Sequence, residues 1–293
     1  MRRLRAAQPP ALRSTLRASL PPMRSRLAVL LALVAMLSTG AAARGSADAP
    51  RGIGFELKRT SITPRHPTFD AKREIRLHYG FAATRAADLR IEVRRAGSGK
   101  VIRVYRERDA RPGRRLARVW NGLNRRGRSA GEGRYEFRVG PRGGAMRFAG
   151  RFRLRTHVYP VDGPHGTRGA IGEFGAPRSG GRVHEGFDIT ADCGTRLDAA
   201  RGGEVRKVGY DPALYGYYVL IDGRKTSQDY FYAHLIAPPP VDRRERVRTG
   251  QYVGRVGKTG NAATTPCHLH FEIRVHGRPI DPEPYLHDWD RHS

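Results

Sequence analysis

The sequence predicts an all-β chain, with an N-terminal sandwich followed by a second antiparallel-sheet domain. Short runs that alternate apolar and polar residues are common, and long amphipathic helical patterns are scarce. Glycine and proline are plentiful, at 35 and 20 residues, which suits many tight connections. The length of 293 residues accommodates one or two domains, each large enough to bury a core.

The first segment is expected to lie outside that fold. Residues 27–37 form a continuous apolar run behind Arg24 and Arg26, and small residues follow to Ala43. A basic flank, an apolar stretch and a small-residue cleavage site read as a secretory signal peptide over residues 1–43. The run is too short to serve comfortably as a mature membrane anchor, and no cysteine adjoins the cleavage site. The expectation is therefore an exported protein without a stable membrane anchor. Met23 is a more typical start than Met1.

The formal net charge is +28. The leader carries seven arginines and no acids, which leaves +21 for the remainder. Such a surface suits an anionic wall polymer. Arginine supplies 49 of the 55 basic residues, a bias that coding composition explains as well as a partner does. Aromatic residues do not interleave with the basic ones in a nucleic-acid-binding pattern, so no nucleic-acid partner is expected.

Residues 51–156 read as the sandwich. Ile75 to Tyr79, Leu89 to Val93 and Tyr135 to Val139 each alternate with period two. Gly97-Ser98-Gly99 lies between two such runs and reads as a hairpin turn. Trp120-Asn121-Gly122-Leu123-Asn124-Arg125-Arg126-Gly127, followed by Gly131-Glu132-Gly133-Arg134-Tyr135, is similar to a motif of FlgD-type immunoglobulin-like domains. Asparagine replaces the usual aspartate at 121 and 124, which weakens any calcium-binding role. The resemblance implies an immunoglobulin-like unit that spaces or positions an enzyme.

Residues 157–290 read as the second domain. Residues 158–164 mark its start, and the glycine- and arginine-rich stretch 166–181 reads as a loop. Three later motifs carry the chemistry. In Cys267-His268-Leu269-His270-Phe271-Glu272, an extended strand points both histidines to one face and sends Leu269 and Phe271 into a core. His184 and Asp188 stand four residues apart and are of types that bind zinc. The run 230–235 is apolar and strand-like, with His234 near its end. Taken singly, each motif has an ordinary explanation, such as a surface salt pair or a packed histidine. Among the other histidines, His165 is the one to follow, because it precedes the loop.

Taken in order, H-x-x-x-D, Y-x-H-L and H-L-H-F-E resemble the lysostaphin-type zinc metallopeptidases, the M23 or LytM-like family, over about residues 157–286. The similarity extends to Gly194-Thr195, to residues 199–203 and 250–260, and to Ile280-Asp281-Pro282. It implies an antiparallel-sheet M23-type peptidase domain with one zinc ion per chain, held by His184, Asp188 and His270. It implies flanking catalytic roles for His268, which exchanges protons with the attacking water and the leaving amine, and for His234, which donates to the oxyanion; these two roles are interchangeable at this stage. It also implies that the loop walls the substrate groove. Glu272 is a candidate partner for a metal-bound histidine or a solvated strand carboxylate. Convergence of the motifs would place Cys193 beside Cys267, and export favours a disulfide between them.

The implied function is that of a monomeric, secreted zinc endopeptidase acting on peptidoglycan peptides at the cell wall, periplasm or envelope. The alternative is a non-catalytic wall-binding or hydrolase-activating module on the same fold. All five key residues are present, which favours catalysis. Glycyl bridges and D-alanyl–diaminopimelate links both remain open as the bond cut.

Overall fold

A computed structural model describes residues 52–292, so the expected signal peptide lies outside the described residues. The described part is all-β, apart from short 3₁₀ turns and one helix. Among the described residues no helix is long and apolar enough to cross a membrane.

Seven strands come first: β1 (Glu56–Thr63), β2 (Ile75–Ala82), β3 (Ala87–Arg95), β4 (Val101–Ala110), β5 (Leu116–Trp120), β6 (Gly133–Pro141) and β7 (Arg147–Leu154). They form an antiparallel sheet of order β1-β2-β5 and another of order β4-β3-β6-β7. Alternation decides which side chains are buried. Ile75, Leu77, Tyr79 and Phe81 of β2 join Leu89, Ile91 and Val93 of β3 and Tyr135, Phe137 and Val139 of β6 in one core. The glycine turn at 97–99 closes the β3–β4 hairpin, with Gly99 N donating to the Arg95 carbonyl at 3.0 Å.

The loop after Trp120 is held by its own side chains. Trp120 Nε1 donates to the Leu123 carbonyl at 2.9 Å. Asn121 Oδ1 accepts from Leu123 N, and Asn124 Oδ1 accepts from Arg126 N and Arg128 N. The two asparagines thus act as turn formers, because their side-chain oxygens are spent on backbone N–H groups.

The second group comprises β8 (Val161–Asp162), β9 (Gly166–Thr167), β10 (Phe187–Thr190), β11 (Arg196–Asp198), β12 (Gly203–Asp211), β13 (Gly216–Gly223), β14 (Gln228–Leu235), β15 (Arg246–Val247), β16 (Tyr252–Arg255), β17 (His268–Val275), β18 (Arg278–Ile280) and helix α1 (Glu283–Asp290). The main sheet runs β15-β12-β13-β14-β17-β10-β9, with β18 added on β17. A small sheet, β16-β11-β8, accompanies it. Leu269, Phe271 and Ile273 of β17 enter a core with Tyr230 and Tyr232 of β14 and Ile189 of β10. The opposite face of β17 therefore presents His268, His270 and Glu272. A disulfide joins Cys193, just after β10, to Cys267, just before β17, with Cα atoms 5.3 Å apart.

A polar seam fastens residues 69–71 to the far end of this strand order. Asp70 accepts from Arg224 and Arg246 at 2.6 Å each. Thr249 Oγ1 donates to the Phe69 carbonyl at 2.7 Å and accepts from Gly202 N at 2.9 Å. The Arg201 guanidinium lies 4.6 Å from the centroid of the Phe69 ring. The seam sits by β15 and β12, across the sheet from β10 and β17.

Candidate metal centre and groove

Strand pairing builds the site. The register of β10 and β17 sets Asp188 opposite His270, and that of β14 and β17 sets Ala233 opposite His270. His184 arrives from the turn before β10, where its backbone N donates to the Ala176 carbonyl at 2.8 Å. His184 Nε2 then lies 2.8 Å from His270 Nδ1 and 3.0 Å from Asp188 Oδ1, and His270 Nδ1 lies 3.1 Å from the same oxygen. All three residues are buried.

Their other partners fix what these atoms can do. His184 Nδ1 donates to the Glu173 carbonyl at 2.8 Å, so a neutral His184 offers a lone pair at Nε2. His270 Nε2 donates to Glu272 Oε1 at 3.0 Å, so a neutral His270 offers a lone pair at Nδ1. With Asp188 Oδ1, three acceptors face one point, and such a set is satisfied only by a cation. A proton can play that part. Burial alone would lower the pKa of His270, but its hydrogen bonds to Asp188 and Glu272, with their charges, raise it to about 9. Burial alone would raise Asp188, yet His184 and His270, when they carry protons toward it, hold it far below the usual carboxylate range. Side-chain type, count and orientation all suit zinc, which takes two imidazoles and a carboxylate in many catalytic sites.

His268 and His234 flank the trio. Their rings are 5.0 Å apart, and that of His234 is 5.8 Å from His270. His268 Nδ1 donates to the Pro266 carbonyl at 2.8 Å, and burial lowers its pKa. His234, the penultimate residue of β14, lies in the left-handed region at φ +61°, a conformation that costs a non-glycine residue about 1–2 kcal/mol. Its Nδ1 donates to the Thr259 carbonyl at 2.9 Å. Burial, and then the charges of His270 and His268, lower its pKa to about 3. A neutral His234 therefore presents an acceptor at Nε2, where a donor to the oxyanion would need a proton there. Thr259 is itself pinned, donating to the Leu235 carbonyl at 2.7 Å and accepting from Tyr217 N at 3.0 Å. Gly216, at φ +59°, permits this, since a Cβ there would meet Thr259 Oγ1 at 2.0 Å.

Glu272 is no solvated carboxylate. It is fully buried, and its second oxygen accepts from Arg274 Nε at 2.5 Å. Burial would raise its pKa, but His270 and Arg274 outweigh that and lower it.

The site opens into a groove of about 660 Å³. The 166–182 loop supplies one wall, with Arg168, Ile171, Arg178 and Arg182. Tyr215 also lines the groove; its ring packs edge-on against Phe231, whose ring is 6.4 Å from His270. Arg168 Nη1 donates to Asp188 Oδ2 at 2.9 Å and lies 3.4 Å from His268 Nε2. Sequence reasoning passed over Arg168, Arg178, Tyr215 and Thr259; the arginine-rich loop was the only signal for the first two. His165 does not reach the groove. It stacks on Tyr159 with ring centroids 4.2 Å apart and faces Asp290 at 3.3 Å.

Residues 182–282 match the model of Peptidase family M23. The chain is 38% identical over 119 residues to the Pseudomonas aeruginosa protein named Lipoprotein NlpD/LppB homolog, covering 40% of this chain and 36% of that one. It is 36% identical over 105 residues to the Neisseria meningitidis DD-carboxypeptidase/endopeptidase Mpg, covering 34% of this chain and 22% of that one. It is 32% identical over 129 residues to the Salmonella dublin Murein hydrolase activator NlpD, covering 44% and 30%. The chain thus spans well under half the length of these relatives. The segment that matches this family model, residues 182–282, is the one that carries His184, Asp188, His234, His268 and His270.

Proposed function

We propose that this chain is an exported zinc endopeptidase that hydrolyses peptide bonds of bacterial peptidoglycan, with one zinc ion held by His184, Asp188 and His270. The observation that carries the reading is the convergence of three buried acceptor atoms within 2.8–3.1 Å at the floor of a groove. Bound there, zinc would polarise the scissile carbonyl and lower the pKa of an attacking water toward ~7. His268 supplies the base. Its proton sits on Nδ1, facing the Pro266 carbonyl, and its buried ring stays neutral near pH 7, so Nε2 can accept a proton and then deliver it to the leaving amine. His234 in its neutral form is a second acceptor and orients the attacking water; it donates to the oxyanion only after taking a proton. Arg168 steadies Asp188 through Oδ2, which leaves Oδ1 to the metal.

The disulfide suits an oxidising compartment such as the periplasm or cell surface, in line with the expected leader. We infer that the chain divides near residues 156–157. The first core runs from Phe69 to Leu154 and the second from Tyr159 to Trp289. The first unit is read as an immunoglobulin-like spacer, because among the described residues nothing before Arg168 lines the groove.

A second reading, a module that activates another hydrolase, draws on the name of the Salmonella relative. Metal content and peptidoglycan turnover separate the two. The endopeptidase reading expects stoichiometric zinc and soluble products from the parent chain. It expects zinc without turnover in His268→Ala, and neither in His270→Ala. Stoichiometric zinc retained by His270→Ala would overturn the ligand assignment, and a parent chain that holds zinc but leaves peptidoglycan intact would favour the activator.

A further inference from the structure

The groove is cationic at one end, beyond what the metal trio requires. Pro177 and Val183 face each other across a short antiparallel bridge, and Arg178 N donates to the Arg182 carbonyl at 2.9 Å. Ser179 to Gly181 closes this turn, with Gly180 and Gly181 both at φ +73°. Two guanidinium-bearing residues are thus fixed opposite each other at the neck of one turn. The turn is anchored to the site, because Gly175 N donates to the His184 carbonyl and His184 N to the Ala176 carbonyl, both at 2.8 Å.

These arginines lack matching anions. Arg178 Nη1 reaches the Pro177 carbonyl at 3.3 Å, and Arg178 Nη2 stands 3.7 Å from Asp188 Oδ2, an oxygen already bonded to Arg168. Arg182 is exposed and pairs with no carboxylate among the described residues. Arg168, Arg178 and Arg182 all line the same groove. Bringing three like charges together in a groove wall costs free energy that a bound anion recovers. A guanidinium fork fits a carboxylate with two parallel hydrogen bonds. Ile171 and Val183, both exposed, lie on the same wall and offer apolar cover to the carbon skeleton beside that charge.

We propose that Arg178 and Arg182 hold a carboxylate next to the scissile amide, so that the groove takes anionic peptides in preference to uncharged ones. This deepens the peptidase reading, on which it rests, by favouring carboxylate-bearing stem peptides over uncharged glycyl bridges as substrates.

The test separates binding from turnover. A fluorescein-labelled tetrapeptide, as free acid and as C-terminal amide, is titrated by anisotropy against the metal-free full chain at low salt. The acid is expected to bind at least about tenfold more tightly, in keeping with one charge-assisted bidentate contact, and added salt should shrink the difference. In R178Q/R182Q the acid-to-amide ratio should fall to within about twofold, and R178K/R182K should recover part of it. Equal binding of acid and amide by the parent chain overturns the proposal without any variant. A preference that survives R178Q/R182Q intact overturns the residue assignment. Cleavage of both peptides by the zinc-loaded chain is scored separately. A chain that prefers the acid yet cleaves nothing refutes the peptidase reading and leaves the carboxylate site standing; a chain that cleaves and binds both alike does the reverse.

Discussion

Glu272→Gln isolates the part of the site that holds His270 in its metal-binding tautomer. The glutamine keeps the shape and an acceptor for His270 Nε2–H, but removes the charge and leaves Arg274 without its 2.5 Å partner. Carboxylates behind metal-bound histidines typically contribute 10- to 100-fold in metal affinity, or about 1.4–2.7 kcal/mol. A proton competes with the metal at His270, because its hydrogen bonds to Asp188 and Glu272 push its pKa up to about 9 despite burial. As pH falls this competition weakens apparent zinc binding, by at most about one decade per pH unit. The substitution lowers proton affinity and zinc affinity together, so at pH 7 its effects partly cancel. At pH 9 most of the loss should show. The assay is competition for zinc against a chromophoric chelator at both pH values, with circular dichroism to check the fold. A deficit of about tenfold or more that is larger at pH 9 than at pH 7 is expected. A folded variant that matches the parent within about twofold at pH 9 would refute the role given to Glu272.

Two further predictions concern stability. Reducing the Cys193–Cys267 bond reopens a loop spanning a sequence separation of 74 residues, for which chain entropy gives up to about 4 kcal/mol; thermal unfolding with and without reductant should show a lower midpoint and weaker zinc retention, and an unchanged midpoint would contradict this. His157 stacks on Trp289 at 4.4 Å and bonds Tyr230 Oη at 2.7 Å, and burial followed by the Arg201 charge lowers its pKa to about 3. Its unfolded value is near 6.5, so unfolded chains bind the proton first; the stability it lends is full above pH 6.5 and falls by about 1.4 kcal/mol per unit as pH drops toward 3. Urea unfolding of His157→Phe across pH 4–7 should show a flatter acid limb than the parent, and an equal slope would contradict the assignment.

What could be read from the sequence was what depends on period and order. The alternation in 268–273 sorted His268, His270 and Glu272 from Leu269 and Phe271, and the order of three motifs predicted that His184, Asp188 and His270 would meet. Less legible were features set by backbone direction and by contacts between distant residues. Nothing periodic marks Arg168 or Arg178, whose side chains are aimed by a glycine-rich turn. The left-handed backbone at His234 and the bond from its Nδ1 to the Thr259 carbonyl fix the tautomer of the neutral ring, and neither follows from residue type. Glu272 had two readings until its burial against Arg274 was visible. The seam at Asp70 joins residues more than 150 positions apart, and its arginines look like any others in an arginine-rich chain.

The proposed reaction is hydrolysis of a peptide bond by this chain with a zinc ion on His184, Asp188 and His270. Mass spectrometry of purified muropeptides digested by the zinc-loaded chain tests it most directly. The products should gain one water at a single peptide link, with a new amino terminus, and should vanish when the metal is stripped or His268 is substituted. Intact muropeptides after prolonged incubation with a chain carrying one zinc ion would contradict it.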